Sequence, residues 1–149
     1  MSKLLAKKQS LSWAERWLAV QSLFLLQVTS LGLRWFGFKP IYTLLRRFSP
    51  ALLAIDDPSD AFFSRAIHVG AIVQLANQRF RALHVTCLPE SLVVWWLLSR
   101  QEIGADLRLG IRNQEGRLDG HAWVEVNRRV VSGDPDLPDE FLPLDLHPQ

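Results

Sequence analysis

Cys87 is the only cysteine in this 149-residue chain, and its sequence context suits a reactive thiol. It is followed by Leu88, Pro89 and Glu90, then by an unbroken apolar run from Leu92 to Leu98. Proline is tolerated at the first helical position because that N–H has no intrahelical partner. An acid such as Glu90 in the first turn complements the positive end of the helix dipole. Cys87 is therefore predicted at or just before the N-terminus of a buried helix, where the dipole and unpaired N–H groups favour the thiolate. Further on come His121, in the segment HAWVEV, and then Asp134. A cysteine, a distant histidine and a following aspartate are the parts of a thiol-nucleophile triad. The thiolate attacks a carbonyl, the imidazole moves the proton, and the carboxylate orients the imidazole.

The elements that must hold these groups can be read from hydrophobic period. The helix opened by Cys87 should stop near Gly104, a suitable left-handed C-cap. The period then changes to two. Leu107, Leu109 and Ile111 alternate with Arg108, Gly110 and Arg112, and after a turn over Asn113–Gly116 a second strand carries His121, Trp123 and Glu125 on one face. Val130 and Val131 mark a third strand. If Asn127 and Arg128 are the central residues of a tight hairpin, Val126 pairs with Arg129 and His121 lies opposite Asp134. If the turn is Arg128-Arg129 instead, His121 faces Asp136. Asparagine tolerates the positive φ of a primed turn better than arginine does, which favours Asp134, and a bulge at Gly133 would alter the register.

Other candidate chemistry is thinner. His84 precedes Cys87 by three residues, but no further cysteine and no tight set of histidines and carboxylates completes a four-ligand site. No metal and no cofactor is expected. His68 and His147 read as incidental, and Trp95, Trp96 and Trp123 as core, with Trp123 also placed to wall a cleft beside His121.

Length and composition allow one domain with a real core. The chain is 48% hydrophobic, with six Trp and eight Phe, and its net charge of +2 is too small to argue for nucleic acid. Charge is unevenly placed. Residues 1–50 carry Lys3, Lys7, Lys8, Arg16, Arg34, Lys39, Arg46 and Arg47 against Glu15 alone, whereas Asp134, Asp136, Asp139, Glu140 and Asp145 follow Gly133 with no Lys or Arg. That asymmetry suggests a surface for a partner or an anionic phase. A lone cysteine cannot make an internal disulfide, so nothing asks for an oxidising compartment. The expected location is cytoplasmic.

The N-terminal third reads as helix. Ser12 and Glu15 form a capping box, and apolar residues at 17, 20, 24, 28 and 31 recur at helical spacing. Residues 18, 23, 25, 26 and 33 extend the apolar surface to almost all faces. It is not read as a signal, because Trp13, Glu15 and Arg16 lie between the lysines and the apolar run and no small-residue cleavage site follows. Leu18–Leu33 is also short of the roughly 20 residues of a membrane span. A helix this apolar is either deeply buried or covered by a protein partner or a bilayer surface, and residues 13–38 are the segment expected to make that contact. Gly32, Gly37 and Pro40 are expected to end it. A short basic helix over 41–48, a second long helix over 61–83 and a loosely ordered acidic tail complete the reading.

CLPESLVVWWLLSRQEIGADLRLGI followed by HAWVEV resembles the stand-alone transglutaminase-like leader peptidase of lasso-peptide biosynthesis. The similarity spans about residues 61–134. It implies an α+β, papain/transglutaminase-like fold with N-terminal helices and a nucleophile-bearing helix packed on a small antiparallel sheet. Residues 1–55 are expected to form an apolar, basic helical region for partner or surface contact, and residues 56–149 the cysteine-protease core with its acidic tail. By position, the resemblance assigns Cys87 as nucleophile, His121 as base and Asp134 as orienting acid. Members often have Gly in the last turn where this chain has Arg128, and Ser132-Gly133 stands just before the aspartate. The implied partners are a ribosomal precursor peptide, a small leader-binding protein that delivers it, and an ATP-dependent macrolactam synthetase that uses the freed amine. The Cys87 N–H would supply one oxyanion donor. Gln74 and Gln78 lie upstream as a papain-type glutamine does, without a convincing spacing. Two other functions fit the same residues: a non-catalytic scaffold whose functional part is the apolar helix, and transglutaminase-type amide transfer.

Overall fold

The computed structural model describes residues 11–48, 59–79, 86–133 and 136–144. Helix α1 (Trp13–Phe36) opens with the expected capping box. Ser12 Oγ accepts from the Glu15 N–H, and the Glu15 carboxylate accepts from the Ser12 N–H at 2.6 Å. The bond from the Ser12 N–H is the main reason the Glu15 carboxyl lies below its usual range. Gly32 does not end the helix. It sits inside α1, where a side chain would collide with Ile41 of α2 (Phe38–Arg47), so it serves the close approach of two helices. The break comes at Gly37, whose φ of +81° turns the chain between them. Pro40 is the third residue of α2, where its missing N–H costs nothing.

Helix α3 (Asp60–Arg79) starts at the acidic cluster, with the Ser59 carbonyl accepting from the Phe62 and Phe63 N–H groups. Helix α4 (Cys87–Arg100) is the most buried element. Leu92, Val93, Val94, Leu97 and Leu98 are all within its core-facing surface. Pro89 is its third residue and Cys87 its first, with Thr86 at the N-cap. The helix stops earlier than Gly104. The Ile103 N–H returns to the Leu98 carbonyl and the Glu102 N–H to Ser99, a Schellman closure with Glu102 at φ +60°. Buried Ile103 packs beside Leu98, and that contact holds a non-glycine residue in the left-handed region.

Strands β1 (Asp106–Gln114), β2 (Arg117–Val126), β3 (Arg129–Ser132) and β4 (Leu142–Leu144) form one antiparallel sheet in the order β3-β2-β1-β4. Both tight turns have positive φ at their two central residues, Glu115-Gly116 and Asn127-Arg128, the geometry that matches strand twist. The tail is not loose as expected over 136–144: it supplies the short helix α5 (Leu137–Glu140) and edge strand β4. Pro143 is tolerated there because an edge strand has one unpaired side.

Val124 and Val126 of β2 face the helices, joining one core with Leu26 of α1, Ala66, Val69 and Val73 of α3, and the inner face of α4, and Ala122 is buried on the same face of the strand. Phe38, Tyr42 and Trp95 stack in series, with ring centroids 5.4 Å apart at each step, and so tie α2 to α4. The N-terminal helices thus share the core of the rest of the fold, and the domain boundary expected at residue 55 lies outside the described residues. Among the described residues no helix is long and apolar enough to cross a membrane.

Candidate active site

Cys87 is half-buried at the start of α4, as the proline and the apolar run imply. What fixes that helix against the sheet is Ser91, one turn later. Residues four apart share a helix face, and the buried Ser91 hydroxyl donates to the Ala122 carbonyl at 2.9 Å. Ala122 is the immediate neighbour of His121 on β2. The Trp95 indole N–H donates to the Ala105 carbonyl at 3.0 Å, so the other end of α4 is held where β1 begins. The Cys87 end of α4 therefore lies at the His121 stretch of β2. A further bond holds it from α3: Asn77, on the helix that leads towards Cys87, donates to the Glu90 carboxylate. Gln74 and Gln78, the glutamines weighed as oxyanion donors, are exposed on α3.

His121 belongs to the opposite face of the sheet, with Trp123 and Glu125. Directly opposed residues share a face, and His121 is opposed by Gly110 of β1. The missing side chain at Gly110 makes room for Phe141, whose ring centroid is 5.5 Å from that of His121 and 6.4 Å from that of Trp123. Trp123 and Phe141 form a second, smaller core on this face. Glu125 is structural: it accepts from the Trp123 indole at 2.8 Å and pairs with Arg108 at 3.3 Å. Arg112 lies over Phe141, its Cζ 4.5 Å from the ring centroid, and pairs with Asp119 at 3.1 Å and Glu140 at 2.7 Å. His121 thus sits against a ring that an arginine and two acids hold in place.

The structure brings together the two elements that carry Cys87 and His121, and among the described residues no hydrogen bond links the thiol to the imidazole. The hairpin turn is Asn127-Arg128 with Val126 paired to Arg129, the register that pointed to Asp134. The register then shifts. Glu125 pairs with Val130 but Val124 with Ser132, so Val131 is an extra residue and the count that set His121 against Asp134 is broken there, not at Gly133. The cause is packing: the Val131 carbonyl lies where a side chain on Gly70 of α3 would be, so the bulged backbone fits directly against that helix. Asp134 and His84 lie outside the described residues. Asp136 is exposed at the entrance to α5. His68, read as incidental, pairs with Glu15 at 2.9 Å and joins α3 to the start of α1.

Ser91 and Phe141 were not singled out by sequence reasoning. A serine four residues after Cys87, just before the apolar run, and the one aromatic residue after Gly133, were the available signals. Among the described residues no group of three or more His, Cys, Asp or Glu side chains is gathered that would chelate a metal.

The arrangement is a cysteine opening a buried helix, with a histidine strand clasped to the next turn of that helix. The sequence pattern of the transglutaminase-like superfamily matches residues 32–145, more than half the chain. Neither curated proteins nor solved structures provide a match. The α+β architecture, the helix-opening cysteine and that match together place the chain in the transglutaminase-like superfamily, generally a family of cysteine peptidases and amide-transferring enzymes.

Proposed function

We propose that this chain is a cysteine peptidase that removes the leader from a ribosomally made precursor of the lasso-peptide type. The observation that carries the reading is the Ser91–Ala122 clasp, which joins the turn after Cys87 to the neighbour of His121. Superfamily membership supports acyl transfer to sulfur, and the CLPESL and HAWVEV segments support the narrower role. In this mechanism His121 takes the Cys87 proton and the thiolate attacks the scissile carbonyl. The C–N bond breaks as His121 returns the proton to the leaving amine, and water then hydrolyses the thioester to the free acid. The Cys87 N–H, one of the groups without an intrahelical partner, supports the oxyanion. Asp134 is assigned as the orienting acid by its place after HAWVEV, with Asp136 as the alternative. His121 projects from the face of β2 opposite the α4 side, so the reaction requires its imidazole to come round to Sγ when substrate is bound. A small leader-binding protein would deliver the precursor, and an ATP-dependent macrolactam synthetase would consume the freed amine.

The test is cleavage of a precursor by the full chain with its leader-binding protein, followed by mass. Loss of cleavage in Cys87→Ala and His121→Ala, with partner binding retained, is the expected result. Cleavage that survives Cys87→Ala leaves a scaffold as the only role for this fold. Asp134→Asn and Asp136→Asn, compared side by side, identify the acid. Adding a primary amine separates hydrolysis from transfer, since an amide adduct in place of the acid would make the enzyme a transferase.

A further inference from the structure

Helix α1 exposes a second apolar stripe besides the one that faces the core. Its buried residues are Ser22, Leu26 and Thr29, with Ser22 folded back onto the Leu18 carbonyl at 2.6 Å and Leu18, Leu25 and Leu33 half-buried against the core, while its aromatic side chains point to solvent. Trp13, Trp17, Val20, Phe24, Val28, Leu31 and Trp35 are between 51% and 87% exposed. At 150–250 Å² for each aromatic, the four rings alone expose on the order of 500 Å². That already reaches the size of the largest patch on an ordinary monomer, about 300–600 Å².

Spacing and charge decide what covers it. The stripe repeats every eleven residues: 13, 24 and 35; 17 and 28; 20 and 31. An eleven-residue repeat averages 3.67 residues per turn and stays on one side of a nearly straight helix. It departs from the 3.5 of a left-handed helical pair. A stripe this straight suits a flat surface as well as a right-handed pair, and charge decides between them. Arg16 and Arg34 are eighteen residues apart, five full turns, and both border the stripe on the same flank. Over residues 11–48, Arg16, Arg34, Lys39, Arg46 and Arg47 face one acid, Glu15, whose carboxylate is taken up by Ser12 and His68. Tryptophans stand at both ends of the stripe, the side chain that prefers the bilayer interface. Since the helix is not apolar enough to cross a membrane, it fits the geometry of one lying in the plane of a surface.

We propose that α1 docks this protein on the surface of anionic phospholipid bilayers. The inference is independent of the peptidase reading and is measured without activity. The experiment is flotation of the full chain with vesicles of phosphatidylcholine alone or with about one-third phosphatidylglycerol. Binding is expected only to the anionic vesicles and should fall as salt rises. Each basic residue near such a surface contributes about fivefold in affinity, so replacing both arginines (Arg16→Gln with Arg34→Gln) should weaken binding about thirtyfold. Phe24→Asp with Val28→Asp should abolish it, and both residues point outward, so folding is retained; unchanged Cys87 labelling by iodoacetamide checks this. Equal binding to neutral vesicles, or wild-type affinity in either variant, overturns the proposal. So does the absence of flotation, including the case where Phe24→Asp with Val28→Asp instead turns a dimer into a monomer in sedimentation or releases the leader-binding protein.

Discussion

Replacing Ser91 with alanine tests the clasp on which the site depends. Ser91 is 3% exposed, and its hydroxyl donates to the Ala122 carbonyl at 2.9 Å. A typical intramolecular hydrogen bond contributes about 1 kcal/mol net, and orphaning a buried partner adds up to about 2 kcal/mol more. A carbonyl has two lone pairs, so losing one donor costs less than stranding an N–H would, and the expected loss is about 1–2 kcal/mol. For a chain of this size that lowers the melting temperature by about 3–6 °C. Cys87 lies one turn away, about 6 Å along the helix axis, and a misplacement of about 1 Å can cost on the order of a hundredfold in rate. Precursor cleavage should therefore fall far more than stability does. Ser99→Ala is the control. Ser99 is equally buried, but its hydroxyl bonds to Trp96 within the same helix at 2.8 Å and crosses to no other element. Alanine there also raises helix propensity, so stability should change by less than about 0.5 kcal/mol and cleavage hardly at all. The measurements are urea midpoints at constant m, and cleavage of the precursor by mass. If Ser91→Ala unfolds at the wild-type midpoint, or if both variants lose cleavage equally, the clasp does not position the nucleophile.

Gly110→Ala should destabilise by about 1–3 kcal/mol, because its new methyl would stand 2.7 Å from Phe141 Cβ and 2.8 Å from the Trp123 ring. Thermal unfolding reads the loss, and a moved His121 ring resonance reads the displacement of Phe141. Glu102→Gly and Arg128→Gly, at φ +60° and +61°, should each stabilise by about 0.5–1 kcal/mol, the left-handed strain less the added freedom of the unfolded glycine; urea midpoints check both. The Glu15 carboxyl is held below its ordinary value of 4.5 chiefly by the Ser12 N–H. Its folded value being the lower one, the contribution is complete above pH 4.5 and is lost as pH falls through that folded value. Amide protection at the start of α1, taken relative to the intrinsic exchange rate at each pH, should fall over that acid range in the wild type and lose this pH dependence in Glu15→Gln.

Features closed within a few residues were legible in the sequence. The Ser12–Glu15 box, the opening of α4 by Cys87, the strand alternation and the Asn127-Arg128 turn are local, because cap bonds, periodicity and φ preferences involve neighbours along the chain. The misread positions each answer to side-chain packing rather than to residue preference. Gly32 looked like a helix stop because glycine has low propensity, yet it stays helical to admit Ile41. Gly104 looked like a cap, but packing of Ile103 on Leu98 closed the helix earlier, through Glu102. The bulge at Val131 follows from Gly70, some sixty residues earlier, whose bare backbone admits the carbonyl.

What the sequence by itself determined is the chemical inventory and its carriers: one cysteine at a helix start, a histidine on a strand, and an α+β order of elements. These depend on residue type and period alone. Only the tertiary structure decided that Ser91 joins the two carriers, that Phe141 from the tail rests on His121, and that the tryptophans and Phe24 of α1 face outward. Period shows that a helix has an apolar stripe, but which side is covered depends on what the other elements bring against it. Here α3 and α4 cover the face with Ser22, Leu26 and Thr29, flanked by half-buried Leu18, Leu25 and Leu33, and leave the aromatic stripe to solvent.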